Sequence, residues 1–66
     1  MTVYDVELAV ESIRAIAADD EEAHIREDNL YQQVLTAIAE RRTDDPSGIA
    51  AAALKTRAIE FSRWCA

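Results

Sequence analysis

Apolar residues recur at helical spacing in three separate stretches of the chain. Val3, Val6, Val10, Ile13 and Ala17, flanked by Ala9 and Ile16, draw one line along a helix predicted over 3–18. Thr2 is placed to cap it, and Asp5 three residues on completes a capping-box start. A second line, Leu30, Tyr31, Val34, Leu35 and Ile38, belongs to a helix predicted over 20–42. Asp19 or Asp20 caps this helix, Glu21 and Glu22 favour its positive end, and Arg41 and Arg42 its negative end. Glu22 and Arg26 form a favourable i,i+4 pair. The stretch TDDPSG, residues 43–48, is a break, because Pro46 cannot continue a helix but suits the first turn of a new one capped by Asp45. The third helix is predicted over 46–64, with Ala50, Leu54, Ala58, Phe61 and Cys65 as its line and Ile49, Ala53 and Trp64 beside it.

Both connections are short, so neighbouring helices pack antiparallel. The expected fold is an all-α three-helix bundle forming one domain over 1–66, with the first helix the shortest. A helical hairpin with the first helix laid across it is the main variant. A chain of 66 residues buries only about 60% of its unfolded surface, so its stability is marginal. Half of the residues are hydrophobic, with one Gly and one Pro, which is the composition of a folding chain. The single cysteine, Cys65, excludes an internal disulfide and fits a reducing cytoplasm. No basic start followed by an apolar core marks an export signal, and no apolar run approaches the ~20 residues of a membrane span.

The formal charge of −6 is uneven: residues 1–28 hold nine acids and two bases, and residues 29–66 hold four acids and five bases. The first half repels phosphates, which makes nucleic acid a poor partner. An anionic surface suits a basic protein partner, or serves solubility.

Two irregularities depart from a plain bundle. Followed backwards from Ile38, the core-facing line of the second helix turns ionisable: Val34, Tyr31, then Glu27, His24 and Asp20, with Asp28 alongside. The antiparallel return of the third helix brings Arg63, Trp64 and Cys65 toward them. The expected result is a structural polar cluster. In it His24 bridges Asp20 or Asp28, Arg63 neutralises Glu27 or Asp28, and Trp64 lids the bundle end. Three chemical alternatives are weaker. Glu21-x-x-His24 has the spacing of carboxylate-bridged di-iron helices, but one such motif needs a dimer to supply the second and Glu7 or Glu11 to complete the set. A zinc site from His24 and Cys65 lacks the paired spacing of structural zinc. A Cys65 nucleophile with His24 as base sits two residues from the chain end and needs a pocket that a small bundle rarely encloses. No catalytic residue, metal or cofactor is therefore assigned.

The second irregularity is apolar residues off the core lines. Tyr4, Leu8 and Ala15 share the opposite face of the first helix, and Ile59 with Ala52 lies off the main line of the third. A second stripe on a small helical protein marks a partner surface. Tyr4, Leu8 and Ile59 are the candidate interaction face, with self-pairing and contact with another protein both open.

The run EEAHIREDNLYQQVLTAIAE, followed by DDPSGIAAAALKTRAIEFSRWCA, resembles a group of small acidic helical proteins encoded by actinobacteria and their phages. The resemblance lies most clearly in AH..ED.L, AAALKT and the closing WCA. It implies a small helical protein of bacterial cytoplasm without an assigned biochemical activity. The expected function is a helical protein–protein interaction module that self-associates, in a phage setting as a modulator of a host protein. The alternatives are a helix-turn-helix-like nucleic-acid binder using Lys55, Arg57 and Arg63, an acidic DNA mimic, and a dimeric metal-binding protein using Glu21-x-x-His24.

Overall fold

The computed structural model describes residues 1–63 and has the predicted order of three helices: α1, Val3–Ala15; α2, Asp20–Ala39; and α3, Pro46–Leu54, continued by a 3-10 turn, Lys55–Ala58. Each start is written in the sequence. The backbone N–H of Asp5 donates to Thr2 Oγ1 at 3.1 Å and that of Thr2 donates to Asp5 Oδ2 at 2.9 Å, the reciprocal pair of a capping box. These bonds hold the Asp5 carboxyl below its usual pKa, the contact with the Thr2 backbone contributing most. Asp19 caps α2 by accepting from the Glu22 N–H at 3.1 Å. Asp45 caps α3 by accepting from the Gly48 N–H at 2.9 Å, with Pro46 in the first turn. The connection from α1 to α2 is a tight turn in which the Asp19 N–H donates to Ile16 O at 2.9 Å.

The helix ends depart from expectation, and each has a physical cause. Helix α1 stops at Ala15 and α2 at Ala39, before the predicted Ala18 and Arg42. Arg41 adopts a left-handed conformation, φ 57°. Its N–H donates to Ile38 O at 3.1 Å, and the Arg42 N–H donates to Ala37 O at 2.7 Å. This is a Schellman ending, with arginine where glycine is usual. The freed Arg42 carbonyl then accepts from the amino group of Met1 at 2.8 Å, tying the start of the chain to the end of α2.

The largest correction concerns α3, which was expected to reach residue 64 and be longer than α1. It has 9 residues against 13 for α1. Neither Gly nor Pro breaks it. The helix tightens at Lys55 into the 3-10 turn and the backbone is extended at Ile59, which is buried in the core, while Arg63 pairs with Glu27 of α2. Tertiary contacts override helix propensity here.

The buried line of α3 is also rotated by one residue from the predicted one. Ile49, Ala52, Ala53 and Thr56 are buried, whereas Leu54 and Ala58 are exposed. Ile49 is the one large apolar residue near the start of α3, and its burial sets the rotation. Val6, Val10 and Ile13 of α1 meet Ala23, Leu30, Val34 and Ala37 of α2 and the buried line of α3 in one core. Alanines at 23, 37, 52 and 53 let the helices approach closely, and the largest fully buried side chains are only Ile13, Ile49, Val6 and Thr56. No helix among the described residues is long and apolar enough to cross a membrane.

Candidate functional site

The ionisable line of α2 meets the segment that follows the 3-10 turn. Glu27 is only 3% exposed and lies one helical turn below Tyr31. The Arg63 guanidinium grips it with two parallel bonds: Nε donates to Oε1 and Nη2 to Oε2, both at 2.9 Å. Nη2 also donates to the carbonyls of Thr56 at 3.0 Å and Ile59 at 3.4 Å, and Nη1 to that of Phe61 at 3.3 Å. The Thr56 carbonyl also accepts from the Ile59 N–H at 2.9 Å. The guanidinium carbon sits 3.8 Å from the centre of the Phe61 ring, a cation–π contact. The bond from Arg63 holds the Glu27 carboxyl below the usual carboxylate range, and burial opposes this. The same bond raises the Arg63 pKa.

Behind Glu27 the fully buried Thr56 hydroxyl bonds the Tyr31 hydroxyl, and either of the two can donate. Thr56 also helps to hold the Glu27 carboxyl low. No buried side-chain polar atom among the described residues lacks a partner.

The remaining predicted members lie around this pair. Asp20 Oδ1 accepts from the Ser62 N–H at 3.0 Å, so it fastens the final segment and does not meet His24. His24 Nε2 is 3.5 Å from Asp28 Oδ1 along the exposed edge of α2. Trp64 and Cys65 lie outside the described residues. Asp20, Glu27 and Arg63 therefore act together to bind the segment 59–63 to α2, with His24 and Asp28 as a separate pair. Glu21 is exposed at the start of α2, and Glu7 and Glu11 are exposed on α1. Among the described residues no three His, Cys, Asp or Glu side chains are gathered to hold a metal ion. Both Glu27 oxygens are occupied by Arg63.

The apolar surfaces divide differently from expectation. Tyr4 and Leu8 are exposed, at 66% and 52%. Ile59, assigned to the same face, is 5% exposed and belongs to the core. It follows the buried Ile49, Ala52, Ala53 and Thr56 at helical spacing, a line one residue away from the predicted one.

A second surface was not anticipated. Leu35 and Leu54, both assigned to core lines, are 67% and 60% exposed. They face each other across a groove of about 240 Å³ between α2 and α3, lined by Tyr31, Val34, Leu35, Ala50, Ala53 and Leu54. No charged residue occurs between Asn29 and Ala39 or between Pro46 and Leu54, in a chain that is 30% charged. That neutrality was visible in the sequence. The exposure was not, because it depends on the rotation of α3. Comparison of the chain with protein-family models, curated proteins and solved structures returns no match.

Proposed function

We propose that the chain is a non-catalytic protein interaction module that self-associates, with the groove between α2 and α3 as its binding surface. The observation that carries this reading is the pair Leu35 and Leu54, held open to solvent in a stretch without charge. Exposed apolar residues occurring singly are ordinary, but two leucines lining one groove with a wholly apolar floor form a contiguous patch. A core made largely of alanine and valine supplies little stability of its own, and covering the groove adds to it.

The helix-turn-helix alternative needs basic side chains on the third helix. Helix α3 carries none, and Asp44 and Asp45 stand at its start. Of the three bases named for that role, Arg63 is engaged by Glu27, and Lys55 and Arg57 lie in the 3-10 turn. A phage-encoded modulator of a host protein remains compatible with the same groove, the host protein then competing for it.

The test is an NMR dilution series on the full chain with reductant present. Amide resonances of 31–35 and 50–54 shift with concentration if the groove binds. A strict monomer at high micromolar concentration, with no shift in the groove, removes this reading.

A further inference from the structure

We draw no further inference here: the strongest candidate, the apolar groove between α2 and α3, belongs to the surface already described, and nothing in the structure shows what covers it.

Discussion

Arg63→Ala tests how the last described segment is held. The substitution removes two charge-assisted bonds of 2.9 Å and leaves Glu27, 3% exposed, without its counter-charge. Removing one partner of a buried ion pair costs about 3–5 kcal/mol. The Arg63 side chain is 30% exposed, so screening reduces this to roughly 2–3 kcal/mol. A chain of this length has a total stability on the order of 3–10 kcal/mol, at about 0.05–0.15 kcal/mol per residue. The loss is therefore a large share of the whole. At about 4–8 °C per kcal/mol, Tm falls by roughly 10–20 °C.

Acidification distinguishes this cause from a simple packing loss. In the wild type Arg63 holds the Glu27 pKa below its unfolded value, so the pair's contribution is complete above about pH 4.3 and is lost as pH falls through the lower folded pKa. In the variant the largest cause of the depression is gone, while burial still raises the carboxyl pKa and Thr56 and His24 still lower it. That variant therefore loses less stability than the wild type as pH falls through the carboxylate range. The gap between the two proteins narrows on acidification. Urea titrations followed by circular dichroism from neutral pH to about pH 3 measure it. Glu27→Leu combined with Arg63→Met recovers most of the loss, because neither charge is then left alone. A variant within about 0.5 kcal/mol of wild type at neutral pH, or a gap that does not change with pH, refutes the reasoning.

Four further outcomes are expected. Arg41→Gly raises stability by about 1 kcal/mol in thermal denaturation, because Arg41 sits at φ 57° where glycine pays no steric penalty. Gly48→Ala fails to give the usual gain of about 1 kcal/mol for alanine in a helix, since its Cβ would come 2.1 Å from Asp45 Oδ2 and expel the cap, itself worth about 1 kcal/mol. Tyr31→Phe costs about 1–2 kcal/mol in urea titration by taking the hydrogen-bond partner from the fully buried Thr56 hydroxyl. The Tm of the wild type rises with protein concentration, and that of Leu35→Glu does not, because association stabilises only the folded chain.

The sequence carried the helix starts because a start is a local device. Thr2 with Asp5, Asp19, and Asp45 with Pro46 each act within four residues, and each is found in place. The ends were harder. Arg41 adopts a conformation that its residue type does not favour, and α3 ends for contacts made far away in the chain. The ion pair between Glu27 and Arg63 was legible, since a carboxylate on a core-facing line requires a partner and the antiparallel return offered one. Leu54 and Ile59 were misplaced together, and for one reason. The buried line of α3 runs through Ile49, Ala52, Ala53 and Thr56, which turns Leu54 outward beside Leu35 and carries Ile59 inward.

That shared cause links the polar cluster to the groove. The observed rotation is sustained at the other end of the segment. Arg63 grips Glu27 and satisfies the carbonyls of Thr56, Ile59 and Phe61, and this keeps the chain in its 3-10 turn and extended path. Thr56, bonded to Tyr31 through its hydroxyl and to Arg63 through its carbonyl, occupies a core position on the rotated line. Tyr31 contributes its hydroxyl to the network and its ring to the groove wall. The ionisable line on α2 and the apolar groove thus share one structural element, the segment that Arg63 fastens beside Tyr31.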